Sequence, residues 1–342
     1  MSLLRIFPHK TLNSLSILTV TNRFLTTQNP YLKPISGNPT SAHYDELVNI
    51  AGRSRDFETL IHLLNKRFKD GCFNTANTFK FITDDHNSLS ILDDLSQSLA
   101  RLNRGFARKS AYDSLIARLC KLNLFDESLR VVEAMARSHG GLNACTFHPI
   151  LNSLTKKKNI DEAWRVIDLM RSLNVSPDVT AYNYFLMAEC TLGNITTAAE
   201  ILVKMEEEGM RADTRTYDAL VVGACAVGKV RGALVLLSRM VDDGVPVLFS
   251  THAYVINALL KCGYYAQAVK FVMCYSGIDT LLETESFGVL ANRLIKLNRF
   301  EEAKLVLNEM TKRGLAMGDK LKDFYDLNVK NVFTAHPRPK RK

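Results

Sequence analysis

At 342 residues, a chain built around one closed core would begin to split into domains. Its net charge is +9, from 44 Lys and Arg against 35 Asp and Glu. That excess sits at the two ends, in Arg5, Lys10, Arg23 and Lys33 and again in Arg338, Lys340, Arg341 and Lys342, with no acid in 1–40 or 336–342. The body 41–335 is therefore close to neutral, and bulk charge does not argue for a polyanionic partner. Only local clustering could.

The first acidic residue is Asp45. An acid-poor start that carries Arg, Ser and other hydroxyl residues has the composition of an organellar transit peptide, so residues 1–40 are expected to be a leader and linker. A mitochondrial address comes first and a chloroplast address second. The apolar run Leu15–Val20 is interrupted and far too short to cross a bilayer, so no membrane partner is expected.

From residue 109 onward a 35-residue period appears. Val179-Thr180-Ala181-Tyr182-Asn183 heads one unit and Thr214-Arg215-Thr216-Tyr217-Asp218 heads the next. The blocks 109–143, 144–178, 179–213, 214–248, 249–283 and 284–318 tile without a gap. Their fourth residues are Tyr112, Phe147, Tyr182, Tyr217, His252 and Phe287. Their twentieth are Ser128, Ala163, Ala198, Ala233, Ala268 and Ala303, and their twenty-seventh Met135, Met170, Met205, Met240, Tyr275 and Met310. A block 41–75 fits with Tyr44 in fourth place, although Leu60 replaces the small residue. The segment 76–108 is two residues short and reads as a divergent unit headed by Thr78-Phe79-Lys80-Phe81.

The spacing predicts two helices in each block. Tyr182, Leu186 and Cys190 share one helical face, and Ile195, Ala198, Ile201, Leu202 and Met205 form a second apolar stripe. The fifteenth residues are Asn123, Lys158, Gly193, Gly228, Gly263 and Asn298, and all but Lys158 readily take the left-handed conformation that ends a helix. Gly209, Gly244, Gly314 and Asn174 suit a second stop. Neither helix of a pair can bury its stripe alone, so an all-α stack of hairpins follows, an α-solenoid. Residues 319–335, with Leu321, Phe324, Tyr325 and Leu327, are expected to cap it, and His336–Lys342 to form a basic tail.

The sequence VTAYNYFLMAECTLGNITTAAEILVKMEEEGMRAD in 179–213 resembles a pentatricopeptide repeat, with aromatic, Gly, Ala, Met and Gly in the family's places and a final Asp. Tetratricopeptide repeats have a period one residue shorter. The likeness covers 109–318 closely and 41–108 loosely. It implies a right-handed superhelix whose first helices line a groove for single-stranded RNA, one base per unit.

The resemblance further implies that the fifth and last residues of a unit face a base edge. Asn183 with Asp213 matches the combination that favours uracil, since an amide donates and accepts. The other pairs are Asp113 with Asn143, His148 with Asp178, and Asp218 with Leu248. Ala253 with Glu283 and Gly288 with Gly318 have little to read with, and Asp45 with Thr75 and Lys80 with Arg108 match less well. Second-place residues flank the base, here Thr180 and Arg215, whose guanidinium can stack. The thirteenth places hold Arg53, Lys121, Lys156, Lys261 and Lys296, which the resemblance turns toward phosphates. A lysine near a helix C-terminus is also favoured by the macrodipole, so both readings stand.

Chemistry of other kinds is not expected. Cys120, Cys190 and Cys225 all occupy the twelfth place, on the buried face of the first helix, and no Cys-x-x-Cys pair exists. The histidines form no metal-binding pair. No phosphate-cradling loop or nucleophile elbow is present, and 319–342 is too short for the catalytic domains that some relatives carry. The expected function is binding of single-stranded organellar RNA, in transcript stabilisation, processing, splicing or translation, with no cofactor or small-molecule substrate. The alternatives are a structural or assembly component of the mitochondrial ribosome that recognises RNA by shape, or a pure protein–protein scaffold; beside RNA, the expected partners are the mitochondrial ribosome or other RNA-processing proteins.

Overall fold

The computed structural model describes residues 39–139, 141–274 and 279–330. The segment expected to be a leader, up to residue 38, Tyr275, and the segment beyond residue 330 with the expected basic tail lie outside the described residues. Every regular element described is helical. The pairs run α1 Ser41–Arg53 with α2 Phe57–Lys69, α3 His86–Leu89 with α4 Leu92–Leu99, and α5 Phe106–Lys121 with α6 Phe125–Arg137. They continue as α7 Ala144–Lys156 with α8 Ile160–Ser172, α9 Val179–Leu192 with α10 Ile195–Glu207, and α11 Thr214–Ala226 with α12 Val230–Asp242. Then come α13 Phe249–Lys261 with α14 Tyr265–Cys274, and α15 Thr280–Lys296 with α16 Phe300–Lys312. Helix α17, Asp319–Tyr325, and a π-helical turn, Asp326–Lys330, pack on the last pair. From α5 to α15 each first helix packs on the first helix of the next pair.

The sequence dictates the hairpin through its turns. The fifteenth residue is left-handed in every regular unit, including Lys158 at φ 65° and Arg55 at φ 58°. Lysine and arginine pay a steric cost there, yet the position holds, because the backbone N–H of the next residue reaches back to the end of the first helix, as Asn159 N does to Leu154 O at 3.0 Å. Gly71, Gly209, Gly244, Gly314, Asn174 and His139 make the second stop in the same way.

Packing follows the repeat. The fourth-place aromatics, the twentieth-place small residues and the described twenty-seventh-place methionines are all buried. The fourth place also couples to the thirtieth. Tyr182 Oη donates to Glu208 Oε1 at 2.6 Å, and Tyr44 and Tyr217 donate to Asp70 and Asp243 in the same register. Ser138 stands 3.4 Å from the Tyr112 hydroxyl. Where the aromatic is Phe287, the thirtieth residue is Arg313, whose guanidinium lies 5.3 Å from the ring centroid. Where it is Phe147, the thirtieth residue is the apolar Leu173. Burial, then the bond to Glu208, pushes the Tyr182 phenol well above its ordinary range, so the proton stays on the tyrosine.

Three places depart from the expected plan. Phe106 and Thr280 start α5 and α15 ahead of their blocks, the latter because the Asp279 carboxylate accepts from Leu281 N and Leu282 N at 2.8 and 3.2 Å. Thr78-Phe79-Lys80-Phe81 was expected to head a helix but forms turns. The Asn49 side chain bonds Asn77 O at 2.8 Å and Phe81 N at 2.6 Å, which satisfies that backbone without a helical ladder. Gly52 makes room for the Phe81 ring, since a Cβ there would lie 2.4 Å from it. Third, Arg67 occupies the twenty-seventh place of the first unit, fully buried, where other units carry methionine. Its guanidinium bonds Asp45 Oδ1 at 2.9 Å, Thr78 Oγ1 at 3.1 Å and Ser41 O at 2.9 Å.

Cys120 is pushed up to about 12 by burial, and Cys190 and Cys225 to about 11, so all three are inert thiols in the packing. Among the described residues no group of His, Cys, Asp and Glu could hold a metal, and no helix is long and apolar enough to cross a membrane.

Two outcomes follow. Arg67→Ala strands the buried Asp45 carboxylate and is expected to destabilise the first unit by about 3–5 kcal/mol. Hydrogen exchange should show the loss in α1 and α2, while α9 to α16 are unchanged. His252 is 2% exposed, and burial pushes its imidazole down to about 4. Between about pH 6.5 and pH 4 the unfolded chain binds a proton that the folded chain refuses. Stability from this site is therefore full above pH 6.5 and declines as pH falls, by up to about 3 kcal/mol below pH 4. His252→Phe should flatten that part of the Tm–pH profile, and identical profiles for the two proteins would contradict the assignment.

Candidate nucleic-acid interface

The first helices supply the surface to which the sequence pointed. Open pockets lie between them, lined by residues of α5 near Lys121, of α7 and α9 near Lys156, and of α11, α13 and α15 near Lys261 and Lys296. Arg53, Lys121, Lys156, Lys261 and Lys296 are all exposed in the last turns of their helices, and among the described residues none of them forms an ion pair. The pockets and these cations share one face because sixth-, ninth- and thirteenth-place residues of one helix lie along the same side.

The pair Asn183 and Asp213 is brought together. Asn183 Nδ2 donates to Asp213 Oδ1 at 2.9 Å, and Thr216 Oγ1 lies 2.8 Å from Asn183 Oδ1 as donor. The same Asp213 Oδ1 accepts from Arg215 N and Thr216 N at 2.9 Å, capping α11 with a capping box. Asp213 thus joins two tasks: it starts the next helix and it fixes the amide of Asn183. Asn183 is 7% exposed and keeps one amide hydrogen and one oxygen lone pair outside these bonds. Thr180 and Arg215 stand one turn or less from these residues, Thr180 half-buried and Arg215 exposed.

His148 and Asp178 are also joined. His148 Nε2 lies 2.9 and 3.1 Å from the two carboxylate oxygens, and Asp178 caps α9 through Ala181 N at 2.9 Å. The edge of Tyr184 meets the His148 ring, with centroids 5.9 Å apart. Of the remaining expected pairs, Asp45 and Thr75 are joined, Thr75 Oγ1 donating to Asp45 Oδ2 at 2.5 Å, but two others are not. Asp113 was expected to act with Asn143, but its carboxylate takes Lys109, one turn earlier, and Thr146 Oγ1 at 2.8 Å. Asp218 was expected to face a base edge. It is 2% exposed, and its Oδ1 accepts from Thr251 Oγ1 at 2.7 Å. Opposite it, Leu248 offers no hydrogen bond. Asp45, likewise, is enclosed by Arg67, Thr75 and Thr78.

A regularity missed in the sequence explains these outcomes. At four junctions the third place of a unit carries a hydroxyl that bonds the fifth-place side chain of the unit before; Ala111 and Ala181 have none to offer, and Ser286 meets fourth-place His252 instead. Thr78 serves Asp45 at 2.7 Å, Thr146 serves Asp113, Thr216 serves Asn183 and Thr251 serves Asp218. The signal was available in the same alignment, as Thr or Ser at 78, 146, 216, 251 and 286. A hydroxyl reaching an aspartate consumes acceptor capacity, whereas one reaching an amide oxygen leaves the amide donor in place. The same ladder therefore closes Asp218 and orients Asn183.

The chain is similar to known proteins along most of its length. A sequence profile described as pentatricopeptide repeat-containing protein matches residues 94–205, and one described as PPR repeat matches 215–245 and 285–315. A mitochondrial pentatricopeptide repeat-containing protein of Arabidopsis thaliana is 49% identical over 333 residues, covering 96% of this chain and 95% of the relative. A second, also mitochondrial by name and from Arabidopsis thaliana, is 65% identical over 294 residues, covering 86% of this chain and 84% of the relative. Among solved structures, the chain is similar to the pentatricopeptide repeat protein PPR10 in complex with an 18-nt psaJ RNA element, at 15% identity and a TM-score of 0.44. That likeness covers 87% of this chain, which spans about half (49%) of the solved chain.

The hydroxyl ladder is open to test. Thr216→Val keeps shape and burial but removes the bond to Asn183 and half of the capping box. Urea unfolding should show a loss of about 1–2 kcal/mol. Wild-type stability in that variant would show that the ladder holds nothing.

Proposed function

The chain belongs to the pentatricopeptide repeat family, and we propose that it binds single-stranded organellar RNA and acts by occupying it, without chemistry of its own. Holding a segment in an extended form protects a transcript end, aids processing or splicing, or opens a translation start. The observation that carries the reading is the amide of Asn183, held at 2.9 Å by a carboxylate that is itself fixed as a helix cap. An oriented amide with one donor and one acceptor to spare complements the alternating edge of uracil. His148 with Asp178 supports a second, adjacent contact through the same arrangement. The exposed cations at the thirteenth places supply phosphate contacts along the row.

A mitochondrial destination is supported by the names of the two relatives and by the acid-poor start of the sequence. A second reading, a ribosome-associated protein that recognises folded RNA by shape, is favoured by one set of observations. Asp218 is enclosed, and Ala253 and Gly288 have no hydrogen-bonding side chain, so base reading is confined to a short stretch of the array.

Selection from a random RNA pool distinguishes the readings. The full chain should enrich uracil at one register, and Asn183→Ala should flatten that position alone. Flat enrichment with wild-type protein would rule out base reading. The affinity should fall with salt at a slope near −3.5 in log–log form if all five thirteenth-place cations meet phosphates, each Lys→Ala change reducing it by about 0.7. Salt-resistant co-sedimentation with a ribosomal subunit, with no sequence enrichment, would favour the shape reading.

A further inference from the structure

The units 249–283 and 284–318 hold no fifth-place hydrogen-bonding side chain, yet a wide opening on the first-helix face lies there. It has a volume of about 600 Å³ and is bordered by α11, α13 and α15, with Thr191 of α9 at its edge. Tyr254, Asn257 and Lys261 come from α13, spaced by three and four so that they share one side. Arg293 and Lys296 come from α15 and Val222 from α11. No carboxylate lines the opening, and among the described residues none of its three cations forms an ion pair. Tyr254 is 42% exposed, and among the described residues its ring meets no other ring. Tyr184, at the same place of its own unit, is by contrast held against His148.

The arrangement has a direction. The aromatic ring lies near the start of α13 and the cations near the ends of α13 and α15, about 10 Å further along the helix axis. Glu285 is more than two turns from Arg293, toward the opposite end of α15. The macrodipole alone accounts for Lys261 and Lys296, but not for an exposed tyrosine and an asparagine aligned with them.

We propose that this opening is a nucleotide clamp that takes any base. The base of one single-stranded RNA nucleotide stacks on Tyr254, Asn257 hydrogen-bonds to its edge or ribose, and the phosphate lies among Lys261, Arg293 and Lys296. Stacking tolerates any sequence because every base has a π-face. This inference rests on the RNA-binding reading above. It assigns the last two units a role in affinity, where the earlier units read sequence.

The test uses the full chain and a fluorescein-labelled, 20-nucleotide random-sequence RNA pool, with Kd measured by anisotropy across salt concentrations. Tyr254→Ala should weaken binding about ten-fold with an unchanged salt slope. Tyr254→Trp should retain wild-type affinity. The triple change Lys261→Ala, Arg293→Ala, Lys296→Ala should lower the slope by about 2. With 4-thiouridine in the pool, ultraviolet crosslinks should map to the tryptic peptide 240–261. Tyr254 is partly exposed, so an unchanged Tm in Tyr254→Ala is the expected control. Should Tm fall, retention by the Trp variant together with the 240–261 crosslink decides for the clamp. If Tyr254→Ala binds as wild type and no crosslink falls in 240–261, the clamp is wrong while RNA binding stands. If the wild-type chain binds neither this pool nor any selected RNA, the RNA reading fails and the clamp falls with it.

Discussion

Each hairpin closes on one buried aromatic. The fourth-place ring fills the space between the two helices, the twentieth-place small residue lets the helices approach it, and the thirtieth residue answers whatever polar atom the ring carries. Tyr182 meets Glu208 and Phe287 meets the guanidinium of Arg313, while the unit of Phe147 carries the apolar Leu173 at its thirtieth place. A buried phenol without a partner is costly: Tyr44, Tyr182 and Tyr217 find an acceptor at the thirtieth place, and Tyr112 donates instead to Ser96 O at 2.7 Å. His252 is the exception that keeps the shape but changes the chemistry. It satisfies Nδ1 on Ser286 Oγ at 3.0 Å and sets its ring edge-on to Phe271, at the cost of a site that resists protonation.

The candidate interface is made from the same parts that hold the stack together. Asp178 and Asp213 end one unit and cap the first helix of the next, and their carboxylates also hold His148 and Asn183. Orientation of the Asn183 and His148 side chains is thus a by-product of helix initiation. The Thr216 hydroxyl adds a contact from the following unit, so the orientation of the Asn183 amide depends on the junction between two units rather than on either one.

The array is not uniform along its length. At the beginning, Arg67 stands where other units carry methionine and forms a buried ion pair with Asp45, strapped by Thr75 and Thr78. In the middle, the amide of Asn183 and the imidazole of His148 are held by carboxylates. At the far end, the fifth places hold Ala253 and Gly288, and an open, cationic pocket with an exposed tyrosine lies beside them. Neutrality of the body and local basicity of one face coexist because acids cluster elsewhere, as in Glu206, Glu207 and Glu208 at the end of a second helix.

The period alone fixed the helical hairpins, their turns and the aromatic, small and methionine positions, because burial of a helical stripe repeats with the helix and leaves its trace in residue type. It also brought Asn183 to Asp213 and His148 to Asp178 as candidates. What the sequence could not decide was which candidates remain open. Asp113 and Asp218 look alike as fifth-place acids, yet a lysine one turn back claims the first, and burial with a threonine from the next unit claims the second. The turn at 76–81 was equally hidden, since it depends on Asn49 of another helix. Tertiary structure decided these points, because hydrogen-bond capacity is shared between units that the linear pattern treats as independent.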